Sequence, residues 1–205
     1  MAEIRIRARS ALDGLARPGR HGKAGGEPGV TIGETTGLSL ASVIARKGKA
    51  AIVATAARAA LGIDLPSTPR RVGNGKVAFL WAGPDQWLAV SLEALNPGEF
   101  ETQLANLFAG SASVSEQSDG RTVIRIAGPR ARDALAKGLP IDLHPRAFRP
   151  GDTALTLAAH IGLQIWQIDE NPTYEIAVFR GFAGSFWHFL TEAAAEFGYR
   201  VAEPG

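Results

Sequence analysis

The 205 residues are 45% hydrophobic and 20% charged, a globular composition with enough apolar side chains for a substantial core. The absence of cysteine excludes disulfides, thiolate metal sites and cysteine nucleophiles together, and it suits a reducing cytoplasm. Net charge is +2, but residues 1–50 carry a surplus of five positive charges, while no aromatic side chain is there to stack on a base.

In chain order, the stretch from Gly14 to Gly29 (GLARPGRHGKAGGEPG) is too rich in glycine and proline for a helix interior or a central strand. It reads as a basic arm over residues 1–29, with ordered structure from Val30. Residues 38–45 (LSLASVIA) predict a strand. An Ala-rich helix follows Gly48, with Ile52, Ala56, Ala60 and Leu61 on one face, and Gly62 ends it. Val77, Phe79 and Trp81 alternate on one strand, and Leu88, Val90 and Leu92 on the next. Gly83-Pro84-Asp85-Gln86 turns between them. Asn96 as cap and Pro97 in the first turn open a helix lined by Phe100, Leu104, Leu107 and Phe108; residues 112–118 return as a strand.

The order then repeats. A strand at 123–126 breaks at Ala127-Gly128-Pro129, and a helix turns Ala131, Ala134, Leu135 and Gly138 inward. Strands are predicted at 153–158, 161–168 and 174–179. A last helix places Phe182, Phe186, Phe189, Ala193 and Phe197 on one stripe, and residues 199–201 form an edge strand. Each half reads strand, helix, strand pair, helix, strand. The expected architecture is therefore α+β: two packed split-βαβ, ferredoxin-like units over 30–118 and 119–205.

Catalytic patterns are missing. His21, His144, His160 and His188 show no ligand spacing. Gly22-Lys23 and Gly75-Lys76 lack the Ser or Thr of a phosphate loop, and Gly73-Asn74-Gly75 lacks a third glycine. Ser111 and Ser185 stand outside any nucleophile elbow, Ser185 as a helix cap. Asp119, Asp142, Asp152, Asp169 and Glu170 are scattered through turns, where only long-range folding could pair them for acid–base work. The expectation is a chain with no catalytic, cofactor-binding or metal residues. Trp81, Trp87, Trp166, Trp187, Phe148 and Phe182 are many large side chains for small lobes, and most belong in the core. Partner contact is expected from Trp87, just past a turn, and from the loop of Arg146, Phe148 and Arg149, because Trp and Arg dominate interface hot spots. No run approaches the roughly 18 apolar residues that span a membrane. The opening Met1-Ala2-Glu3-Ile4-Arg5 lacks a signal-peptide core, so a cytoplasmic protein without membrane or nucleic-acid partners is expected.

The segments FLWAGPDQWLAV (79–90), DGRTVIRIAGPRARDALAKGLPIDLHPRAFRPGDTALT (119–156), FAGSFWHFLTEAAAEFGY (182–199) and GLSLASVIARKGKAA (37–51) closely resemble the gamma-subunit family of heterotetrameric sarcosine oxidase. That family resembles in turn the aminomethyltransferase (T-protein) of glycine cleavage, whose folate-binding fold is paired split-βαβ units. The resemblance implies a non-catalytic subunit docked on alpha, beta and delta chains. It implies FAD, FMN, NAD and tetrahydrofolate on those partners, and an assembly that oxidatively demethylates sarcosine to glycine, releasing hydrogen peroxide and formaldehyde or methylene-tetrahydrofolate. In the T-protein a Gly-Gly turn precedes an acidic residue needed for folate chemistry. The corresponding stretch here, residues 159–165, has one glycine and Gln164 in place of a carboxylate, and an amide cannot exchange a proton as a carboxylate does. An independent folate-binding protein and a nucleic-acid adaptor using the basic arm are the competing readings.

Overall fold

Apolar side chains point to both sides of most strands, so each sheet has two faces to cover. A computed structural model, describing residues 9–203, shows how this is done. The elements are β1 (Gly19–His21), β2 (Val30–Thr35), β3 (Ser39–Ala45), α1 (Ala50–Leu61), β4 (Arg71–Gly73), β5 (Val77–Gly83), β6 (Gln86–Ser91), α2 (Glu99–Leu107) and β7 (Ala112–Glu116). There follow β8 (Arg121–Ala127), α3 (Ala131–Ala136), β9 (Thr153–Ala158), β10 (Ile161–Asp169), β11 (Thr173–Phe179), α4 (Ala183–Ala195) and β12 (Tyr199–Val201). They build a five-stranded sheet, β4-β5-β6-β3-β7, and a seven-stranded sheet, β1-β12-β2-β8-β11-β10-β9.

Alternation along the strands sorts the side chains into three layers. Ala41, Val43, Phe79, Trp87 and Ala89 leave the five-stranded sheet to meet Val53, Ala57, Phe100, Leu104 and Phe108, which arrive mainly from α1 and α2. Ile124, Ile126, Ile165, Ile176 and Val178 leave the seven-stranded sheet to meet Ala131, Leu135, Phe186 and Leu190 of α3 and α4. The neighbouring strand residues point the other way. Leu40, Leu80, Leu88 and Val90 of one sheet pack there with Val123, Trp166 and Ala177 of the other. The result is helices, sheet, sheet, helices, with an apolar seam between the sheets.

Several expectations need correction. Order begins well before Val30: β1 pairs with β12, and Leu12 is 1% exposed within the helix-side core of the seven-stranded sheet. The arm's glycines serve close packing here. A Cβ on Gly22, whose φ is +73°, would lie 2.6 Å from the Ala195 carbonyl oxygen. The Lys23 and Gly29 N–H groups donate to the carbonyls of Ala195 (2.9 Å) and Phe197 (3.1 Å), satisfying the end of α4, whose last turn carries no basic side chain. Nor does 30–118 form one unit. β2 leaves the first half and lies between β12 (parallel) and β8 (antiparallel) in the second sheet.

Local details shift as well. α1 buries Val53 and Ala57, and Ile52 is 51% exposed because the packed face lies one position round from the one expected. α2 starts at Glu99. Asn96 does not cap it but donates through its backbone N–H and its Nδ2 to the Glu99 carboxylate. Ser185 is inside the first turn of α4 and caps nothing. Phe182 belongs to a 3-10 turn before α4 and is exposed. Leu92 falls just outside β6 and is exposed as well.

Candidate partner interface

Several buried polar side chains beside the seam are tied up in contacts within the chain. Between the sheets, Gln164 projects from β10, almost fully buried, and its Nε2 donates to the Trp81 carbonyl (3.0 Å) and to Thr153 Oγ1 (3.3 Å). One strand further, Trp166 Nε1 donates to Glu175 Oε2 at 2.9 Å, both groups buried. Arg71 approaches from β4. Loss of water around its guanidinium lowers its pKa, and the negative charge of Glu175 partly restores it. The Gln164–Trp81 bond and the Arg71–Glu175 attraction join the two sheets, whereas Trp166–Glu175 is a cross-strand pair within the seven-stranded sheet that faces the seam. A bond not made there would leave a buried polar group unsatisfied.

Residues 159–165, the stretch that the resemblance sets against the acidic turn of the T-protein, form a hairpin tip and a strand. Ala159 and His160, both at positive φ, form the two-residue turn joining β9 to β10, a geometry that matches the twist of a hairpin. Gln164, four residues past that tip, points into the seam. Residues 159–165 contain no carboxylate.

The remaining candidates are dispersed. His21 stacks on Tyr199 with ring centroids 5.3 Å apart, and His144 Nδ1 accepts the Arg146 N–H. His160 and His188 are exposed on different elements. Among the described residues no three His, Asp or Glu side chains gather in a way that could hold a metal ion. Asp142 accepts the His144 N–H, and Asp152 accepts the Arg149 N–H while pairing with Arg70. Ser111 Oγ donates to the Phe108 carbonyl at the end of α2.

Of the residues expected to meet a partner, Trp87 and Phe148 are buried in the chain's own cores. Trp87 Nε1 donates to the Pro66 carbonyl at 2.8 Å, and Phe148 leans on Tyr174. Neither ring lies open. Arg146 and Arg149 are exposed, and neither forms an ion pair among the described residues. Open apolar surface lies elsewhere, at Leu155 and Leu157 of β9 and at Phe179 and Phe182, each about half exposed. β9 itself is where the sequence predicts it, at 153–158, but its open surface is not legible there, because outward leucines look like core residues until the sheet order shows that nothing follows them.

The arrangement of two sheets flanked by helices is that of the aminomethyltransferase fold. The glycine-cleavage aminomethyltransferase T of Bartonella henselae superimposes with a TM-score of 0.57 at 16% identity, over 83% of this chain and 50% of that one. Within that fold, residues 47–196 match the model of the sarcosine oxidase gamma subunit family, and the chain belongs to it. The sarcosine oxidase gamma subunits of Corynebacterium sp. (strain U-96) and Arthrobacter sp. are 32% and 34% identical to it, over 92% of this chain and 91% of each relative. A chain of the heterotetrameric sarcosine oxidase of Corynebacterium sp. U-96, solved with pyrrole 2-carboxylate, matches with a TM-score of 0.78 at 28% identity, covering 97% of this chain and 99% of that one.

Proposed function

We propose that this chain is the non-catalytic gamma subunit of a heterotetrameric sarcosine oxidase and contributes by docking on its partners and stabilising the assembly. The observation that carries the reading is the end-to-end match, in fold and in sequence, to a chain of the heterotetrameric enzyme. The internal use of Gln164, Glu175 and Asp152 supports a structural role, because these polar side chains are committed to contacts within the chain. In this reading the partners are alpha, beta and delta subunits of the same oxidase. They hold FAD, FMN, NAD and tetrahydrofolate, and the assembly converts sarcosine to glycine with hydrogen peroxide and formaldehyde or methylene-tetrahydrofolate, in the cytoplasm. The strand order β7-β3-β6-β5, with helices on one face, supports a split βαββαβ unit over 36–118. The strands β12, β8, β11 and β10 support a second over 119–203, with β2 inserted. Arg146 and Arg149 belong to the partner-facing surface, with Phe148 and Trp87 packed beneath their own loops.

Co-expression with alpha, beta and delta subunits tests the proposal. The expected result is a complex that retains this chain and consumes oxygen with sarcosine, while the chain alone is colourless, inactive and indifferent to tetrahydrofolate. A full set that discards the chain, or turnover of sarcosine by the purified chain, would refute it.

A further inference from the structure

The four sheet edges are β1, β9, β4 and β7. Three are blunted in the usual ways. β1 and β4 have three residues each and carry Arg20 and Arg71, and β7 ends in Glu116. β9, with sequence TALTLA, has no charge, proline or bulge.

Its hydrogen-bonding parity follows from the turn. A two-residue hairpin closes on a bonded pair, here Ala158 with Ile161, so Thr156 and Ala154 also bond inward to β10. The N–H and C=O groups of Thr153, Leu155 and Leu157 then point away from the sheet. Thr153 confirms the parity, since its N–H donates outward to the Pro69 carbonyl at 3.1 Å. Past that rung, the outward groups of Leu155 and Leu157 have no backbone partner among the described residues. Their side chains are 51% and 46% exposed on the sheet face that carries Gln164 and Trp166. At the other end the strand is fed by the loop holding Arg146 and Arg149, cations without carboxylate partners among the described residues.

We propose that β9 receives an extended segment of a partner subunit, which adds to the seven-stranded sheet along Leu155 and Leu157 and carries acidic residues at the end that meets Arg146 and Arg149. Backbone bonds set its register, alternate apolar side chains cover the two leucines, and the charge match fixes its direction. A long apolar edge is an aggregation hazard in a free chain, and permanent burial under a partner removes it. The proposal rests on the gamma-subunit reading and names the surface that reading needs.

The test uses the co-expressed complex. Leu155→Pro removes an outward N–H and no bond to β10, so the sheet survives, and Leu157→Lys places a charge on the covered face. Each is expected to lower retention of the chain at least about tenfold, the effect of losing one or two buried contacts. Ile52→Lys, on the exposed side of α1, is expected to leave retention unchanged. Amide exchange at Leu155 and Leu157 is expected to slow at least about tenfold in the complex relative to the free chain. If wild type, L155P and L157K are retained alike, or exchange at these amides is unchanged, strand addition is overturned and the gamma-subunit reading stands. If wild type itself is not retained, that reading falls and takes the proposal with it. Protection already present in a dimer of the isolated chain overturns the choice of partner. Should L155P fail to fold, L157K and the exchange measurement decide.

Discussion

Replacing Trp166 by Phe isolates one buried cross-strand contact on the seam face of the seven-stranded sheet. The indole N–H is a donor to the Glu175 carboxylate at 2.9 Å, and both side chains are under a tenth exposed. A hydrogen bond to a charged group contributes about 1.5–3 kcal/mol, and the smaller ring leaves a gap worth about 1 kcal/mol more. Arg71, drawn toward the same carboxylate, compensates in part, so the expected loss is about 3 kcal/mol. For a chain of this size that lowers Tm by about 6–12 °C. Calorimetry and circular dichroism on Trp166→Phe, Glu175→Gln and the double variant measure it. The neutral amide introduced by Glu175→Gln tolerates the missing donor better than the carboxylate does. The double variant should therefore lose at least about 1 kcal/mol less than the two single losses combined. A Trp166→Phe variant within about 0.5 kcal/mol of wild type, or additive losses, would show that the bond contributes little to stability and refute the reasoning.

Leu12→Ala tests whether the arm belongs to the fold. Its side chain is 1% exposed against the second core, so a loss of about 3 kcal/mol is expected in urea unfolding, against nearly none for a loose tail. The two tyrosines, the only ones in the chain, provide a pH test. Burial raises the Tyr174 phenol, with Arg132 offsetting only part of the rise, and burial raises Tyr199 as well. Both phenols are therefore protonated in the folded state beyond about pH 10, where the unfolded chain begins to ionise. Stability from this source is intact below about pH 10 and falls as pH climbs toward the higher folded values. Absorbance titration should show tyrosinate appearing late and together with unfolding, whereas early reversible ionisation of both would contradict the burial.

The elements whose periodicity is local were legible. The hairpin of β5 and β6 forms where alternation and a Gly-Pro turn put it, and α4 turns Phe186, Ala193 and Leu190 inward. What failed depended on distant partners. β2, with sequence VTIGET, has little apolar pattern of its own and is a strand because β8 and β12 flank it. Glycine in the arm read as looseness, although Gly22 is required by the backbone of α4 pressing against it. Trp87, placed just past a turn, looked open, yet the Pro66 carbonyl gives its N–H a buried partner. Gln164 was recognisable as a departure from the aminomethyltransferase pattern. That it fastens one sheet to the other needed Trp81 beside it, 83 positions away.

The insertion of β2 between β8 and β12 has a consequence for biosynthesis. Its register on one side is set by residues 199–201, so the segment has to wait until that distant stretch has been made. Contacts so far apart along the chain slow folding, and until they form the helix-side core is missing one wall. A nascent chain in that condition exposes apolar surface until those residues emerge. Removing the three residues of β12 would leave β1 without a partner strand and β2 with β8 alone.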